Sequence, residues 1–341
     1  MTARELETLL ARVPDSAPPE LPGLSDALAD TERYLASDEA LASIAADTYW
    51  PKWHSPWWHM VLLFELGEAE RIPPRIVRAM IDGLNALPLH IFPIKPGDAP
   101  DGYDPRRDIS CHCALGSIAQ VLATCGIDVD RELPWIKPWF VRYQMADGGL
   151  NCDEAAYLIA GECPSSMVGT VAPFEAMLQL GASTPEQAAF IERAAKFLVE
   201  RKLARGSRTA HNAEEQRREA SWRELCFPRF YFYDVLRGAS ALVRWAAASP
   251  DRRIPVLAIA DVIDHLVRSA PDGIVRTQRL AYAGCGTMEK LGGTWVHSPN
   301  ASTFPLLRVT SEIGTPSPAA TREWQTLRAQ LRELVARGQL V

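Results

Sequence analysis

Val168-Gly169-Thr170-Val171-Ala172-Pro173-Phe174-Glu175-Ala176-Met177-Leu178-Gln179-Leu180-Gly181-Ala182-Ser183-Thr184-Pro185-Glu186-Gln187 joins two helices of opposite character. Positions 168–180 carry one charge, Glu175, and are otherwise mostly apolar. Gly181 stops this helix, since glycine takes the left-handed conformation beyond a C-terminus at no Cβ cost. Thr184 then supplies a capping oxygen, Pro185 fits the first helical position and Glu186 suits the positive end of the dipole. The helix that follows, 185–203, repeats apolar residues at helical spacing with acids and bases between them. A dry helix is thus followed by one with a wet face.

The same alternation runs along the chain. Stretches 57–66, 114–124, 230–247 and 303–313 belong to the dry set; 5–13, 24–45, 76–87, 255–269 and 321–338 belong to the amphipathic set. Dry helices end at Gly67, Gly126, Gly181 and Gly314, at intervals of 59, 55 and 133 residues, and the helix at 230–247 fills the long gap. This predicts an all-α fold of about five to six helical hairpins, with dry helices inside and amphipathic ones covering them. An inner layer of that size closes into an α/α toroid around a central cavity; an open solenoid is the alternative. Residues 1–341 read as one domain, with 1–48 as N-terminal helices packing on the toroid and 204–223 as a polar loop or exposed helix. Strands are not expected, apart from a short one at 273–276.

Composition narrows the function. The chain has 341 residues, is 47% hydrophobic and 23% charged, and carries a formal charge of −6. These values are those of a globular protein, not of a disordered one. The acidity disfavours nucleic acid as a partner, because phosphate binding needs clustered Lys and Arg. No run is apolar enough for a transmembrane helix, and the acid-bearing start, Met1-Thr2-Ala3-Arg4-Glu5, is unlike a secretory signal. A cytoplasmic protein is expected. Seven cysteines, an odd number, suit free or metal-binding thiols better than a disulfide framework. Phosphate-loop, dinucleotide, zinc-protease and serine-hydrolase motifs are missing, so no nucleotide cofactor is expected.

Phe140-Val141-Arg142-Tyr143-Gln144-Met145-Ala146-Asp147-Gly148-Gly149-Leu150-Asn151-Cys152 resembles the repeat of the squalene cyclase and protein prenyltransferase (terpenoid cyclase) superfamily. Gly292-Gly293-Thr294-Trp295 looks like a partial second copy. The stretch from Ser165 to Met177 is similar to the inner helix after such a repeat, and the one from Phe227 to Arg237 to a later inner helix of bacterial members. The resemblance spans roughly 50–315 and implies the α/α toroid, an isoprenoid substrate and, from the prenyltransferase side, zinc. Two departures stand out. Leu150 replaces the repeat's usual Trp, and Asp128-Val129-Asp130-Arg131 lacks the last Asp of the cyclases' Asp-x-Asp-Asp acid. Proton-initiated cyclisation is therefore not expected.

Candidate chemistry gathers at the starts of the dry helices. Counting back 13 residues from the stop glycines gives His54, Cys113, Val168 and Ala301, and the apolar pattern adds Asp234. Helix N-termini there favour thiolates and anions. Cys111, Cys113, Cys152 and Cys163 are the metal candidates, for zinc in tetrahedral Cys/His geometry with one position open; small buried hydrophobes are the other reading. His54, His112, Tyr233 and Asp234 are candidates for acid–base work. Trp53, Trp57, Tyr231, Arg237 and His297 are candidates for binding substrate, the aromatics as an apolar or cation–π wall. Ordinary packing, a Tyr–Asp hydrogen bond and a solvated Arg are the alternatives. His90 and His265 lack partners nearby in sequence.

The expectation is an enzyme: zinc-assisted transfer, lyase or cyclisation chemistry on an isoprenoid or other small apolar metabolite. A non-catalytic toroid that binds an apolar ligand or peptide is the alternative. A lanthionine-cyclase-like zinc enzyme is a minor one, matched only by Cys111-His112.

Overall fold

The computed structural model describes residues 1–87 and 111–341, so His90 lies outside the described residues. Its helices are α1 (Ala3–Leu10), α2 (Leu24–Leu35), α3 (Asp38–Ala46), α4 (Pro56–Leu66) and α5 (Pro74–Asn85). There follow α6 (His112–Thr124), α7 (Val129–Glu132), α8 (Ile136–Tyr143), α9 (Met167–Leu180) and α10 (Pro185–Glu200). Then come α11 (Ala213–Arg218), α12 (Val235–Ala247) and α13 (Val256–Ser269). A hairpin of β1 (Thr287–Leu291) and β2 (Thr294–Ser298) precedes α14 (Pro305–Thr310) and α15 (Pro318–Ala336). The described chain is mostly helical, as expected, with this one small sheet added. None of these helices is long and apolar enough to cross a membrane.

Local chemistry sets the boundaries. Thr184 caps α10 through the Gln187 amide, with Pro185 at the first position. Gly67 ends α4 in the left-handed conformation. Almost every residue of α4 and α6 is buried, which matches their dry sequence. The tightest joint is α6 on α9. A Cβ on Gly116 would lie 2.4 Å from the main chain of Ala172 and Pro173, so only glycine allows the two helices this close. The Gln120 amide donates to the Gly116 carbonyl in its own helix and to the Ala172 carbonyl across the joint.

Five helices pack in succession: α4 on α6, α6 on α9, α9 on α12, α12 on α15, and α15 back on α4. Outside them α8 packs on α10, α10 on α13 and α13 on α1, while α1 also touches α15. A cavity of about 310 Å³ lies among the five, lined by residues of all of them.

Two expectations are corrected. The stretch 303–313 yields only the short α14, which packs on α2 instead of joining the circuit. Its place belongs to α15, read from sequence as a covering helix: Trp324, Leu327, Leu331 and Leu334 are buried, and Glu323 and Thr326 line the cavity. Gly292-Gly293 is a hairpin turn, both residues at positive φ, as the right-handed twist of two paired strands requires. At 273–276 there is an isolated bridge, Arg276 to Pro316. Within 204–223, α11 is followed by a 3₁₀ turn that buries Trp222.

Candidate metal centre

Cys111 caps α6 with extended backbone, His112 is its first helical residue and Cys113 its second. The switch from extended to helical backbone sends alternate side chains apart. Cys111 and Cys113 meet at 3.2 Å between sulfurs, and Cys152 comes within 3.3 Å of Cys113. All three sulfurs lie within 4.8 Å of one another. Three thiolates around one zinc at ~2.3 Å stand about 3.8 Å apart, so small adjustments bring this set onto the ion. Cys163, the fourth metal candidate, is not in the group, which among the described residues holds three ligands.

Cys152 reaches the cluster because its loop is pinned. The Gln144 side-chain amide donates to the carbonyls of Gly148 and Phe190, and the Asp147 carboxylate accepts from the Gly149 amide. Gly148 has φ +91° and a Cβ there would lie 2.3 Å from the Arg193 carbonyl, so the turn lies flat on α10. The Leu150 carbonyl accepts from the Ser166 amide just before α9. The Gln–Asp–Gly–Gly string is thus a staple that carries Cys152 to the start of α6.

His112 turns the other way. Its Nδ1 accepts from the Trp139 indole at 2.8 Å, and its Nε2 meets the Tyr157 hydroxyl at 3.1 Å. An indole only donates, so Nδ1 is bare and the neutral ring carries its proton on Nε2. The Tyr157 oxygen also accepts from the Asn151 amide, next to Cys152. Burial lowers the His112 pKa to about 3, so the ring is neutral. It positions the Cys152 loop, and its ring is not one of the three grouped ligands.

The three thiols act on one another through hydrogen bonds. Hydrogen bonds from Cys113 and then Cys152 hold Cys111 well below the ordinary thiol range. The hydrogen bond to Cys111 is in turn the first cause that pushes Cys113 and Cys152 up. A thiol held low beside two others suits a soft dication, whose binding would displace the remaining protons.

Aromatic rings close in beside the sulfurs. The phenols of Tyr49 and Tyr231 are pushed well up by burial first; for Tyr49 the Tyr231 phenol comes next, and neighbouring cysteines add to both. Lys52 donates to the Tyr231 hydroxyl at 3.1 Å and lies 5.3 Å from the Trp50 ring centre. Trp53 stacks on Phe230 at 4.9 Å and meets Trp58 edge-on at 4.4 Å. Trp53 and Phe230 both hold positive φ, 64° and 53°, a conformation that costs about 1–3 kcal/mol per residue and persists only under tight packing. Trp57 is buried against Tyr49, so it backs this wall.

Phe230 belongs to a loop that crosses the helical circuit. On its other side the chemistry changes. The amides of Arg229 and Phe230 donate to Glu65, and Arg237 donates to the carbonyls of Phe230 and Phe232. Arg237 also pairs with Glu175 at 2.7 Å. Asp234 is fully engaged: it caps α12 through the Arg237 amide, accepts from the Cys226 amide and pairs with Arg229. Tyr233 donates to the Leu203 carbonyl at 2.6 Å. The structure therefore places Tyr233, Asp234 and Arg237 in the network that fixes this loop, away from the sulfurs' own contacts. His54 is half-exposed, 4.0 Å from Glu39, and His297 is exposed on β2.

The sequence reading did not single out Tyr49, Lys52, Tyr157 or Glu65. Lys52 among Tyr49, Trp50 and Trp53 was a visible signal; Glu65 was visible as the one charge in α4. No protein-family model, curated protein or solved structure matches the chain. The side chains themselves carry the functional reading.

Proposed function

We propose that the chain is an α/α-toroid enzyme that holds zinc on Cys111, Cys113 and Cys152 and acts on a small, largely apolar metabolite at that end of the ring. The observation that carries this is the meeting of three sulfurs, all within 4.8 Å, at the first turn of a ring helix. The helical circuit from α4 through α15 supports the toroid, and the string from Phe140 to Cys152 supports kinship with the terpenoid cyclase and prenyltransferase group.

Zinc held by three protein ligands keeps a position open and supplies a Lewis acid for a thiol, water or carbonyl oxygen. The residues around it do the rest. Tyr49, Trp53 and Tyr231 form a wall for a hydrocarbon group, for which an isoprenoid is what the resemblance implies. Lys52 places a cation at the Tyr231 hydroxyl, where it can attract a leaving anion. His112 and Tyr157 keep Cys152 in place.

Elemental analysis of untagged protein, with thiol titration, tests this reading. About one zinc per chain is expected, with three of the seven thiols masked until a chelator is added. Metal-free protein whose thiols all titrate, and which stays metal-free after incubation with zinc, would overturn it. A bound ligand without turnover would then mark a binding protein.

A further inference from the structure

The cavity on the far side of Phe230 is lined by charge. Arg237 and Arg244 pair with Glu175, and Arg229 pairs with Glu323 and Asp234. Glu65, on the same wall, has no ion-pair partner within 4 Å among the described residues; its oxygens accept from the amides of Arg229 and Phe230. Three guanidinium groups and three carboxylates line the cavity, and Glu65 is the carboxylate among them with no guanidinium at ion-pair distance. A second group is also unanswered. Ser240 lines the cavity, is 8% exposed, and its hydroxyl has no hydrogen-bond partner among the described residues. A buried hydroxyl left so costs about 1–3 kcal/mol. Val61, Phe64 and Leu327 supply an apolar side to the same space.

We propose that this cavity is a binding site for a small organic cation of the ammonium or amidinium class, its charge on Glu65 and a hydrogen bond on Ser240. The volume of about 310 Å³ suits a small metabolite. Without a ligand a proton neutralises Glu65 instead. Burial raises the Glu65 pKa to about 7, against the pull of Arg229 and Arg237. The ligand's cation replaces that proton. The site does not depend on zinc, so it stands or falls separately from the cysteine centre.

Calorimetric titration of the full chain with n-butylammonium and with benzamidinium is the test, with n-butanol and butyrate as neutral and anionic controls. Both cations should bind and the controls should not. In buffers of different ionisation enthalpy near pH 6.5, binding should release protons. Glu65→Gln should weaken cation binding at least about tenfold, the loss of a charged partner. Ser240→Leu, which fills the space without touching the ion network, should abolish it. Added chelator should leave it unchanged. Binding of butyrate in place of the cations, no binding by either cation, or equal cation affinity in Glu65→Gln would overturn the proposal.

Discussion

The two faces of the loop around Phe230 hold opposite kinds of chemistry. On one face lie soft sulfurs and aromatic rings, with Lys52 as the cation among them. On the other lie three guanidinium groups and four carboxylates. The same few residues serve both: the Phe230 ring stacks on Trp53, while its amide and carbonyl go to Glu65 and Arg237. The difference teaches that the ion network is scaffolding for the thiol face. A buried charge network alone is a weak source of net stability. Here it fixes a loop whose aromatic side chains wall the cysteines.

The largest effect should come from breaking the charged face. Arg237→Met leaves Glu175 partly unpaired, the Phe232 carbonyl without this donor and the Phe230 carbonyl with only the Ser117 hydroxyl, and should cost about 3–5 kcal/mol in urea unfolding. A loss below about 1 kcal/mol would mean that the network does not hold the loop. On the soft face, Cys113→Ser with Cys152→Ser should weaken zinc at least about 100-fold in competition with a chromophoric chelator, or about 2.7 kcal/mol. Unchanged affinity would move the metal elsewhere.

A smaller effect separates the faces by pH. Glu65 has a folded pKa of about 7 against 4.5 when unperturbed. A raised carboxyl contributes stability that is full below 4.5 and is lost as pH rises through about 7. Glu65→Gln removes that loss. Relative to wild type the variant should therefore gain about 1–3 kcal/mol between pH 4.5 and pH 8, read from paired urea curves. The comparison must be a difference, because Glu215, also raised to about 7, adds the same slope to both proteins. A flat difference would show that Glu65 is not shielded from water.

Much of this was written in local signals. The alternation of dry and wet helices pointed to a mostly helical chain, and the junction at 180–187 gave its own cap and stop. Cys111-His112-Cys113 pointed to the cluster, because a helix start separates neighbouring side chains. What failed was the rule that inner helices are dry. The helix α15 borders a charged cavity, so its inner face carries Glu323, Thr326 and Gln330, and it reads as amphipathic. The 303–313 stretch was apolar enough to mislead, but Phe304, Leu306 and Leu307 are buried in a helix that packs on α2. Asp234 and Tyr233 had the residue types of catalysis, yet helix capping and a loop anchor use the same types. Spacing along the chain does not distinguish those uses; hydrogen-bond partners do.

The absence of a side chain at Gly116 reaches further than close packing. It locks α6 to α9, and Cys152 rides on a loop joined to the start of α9, so all three sulfurs belong to one stiff body. A cradle of fixed aperture sorts ions by radius before it sorts them by affinity. A larger residue at 116 would widen that aperture from a distance and change which ions the three sulfurs could hold.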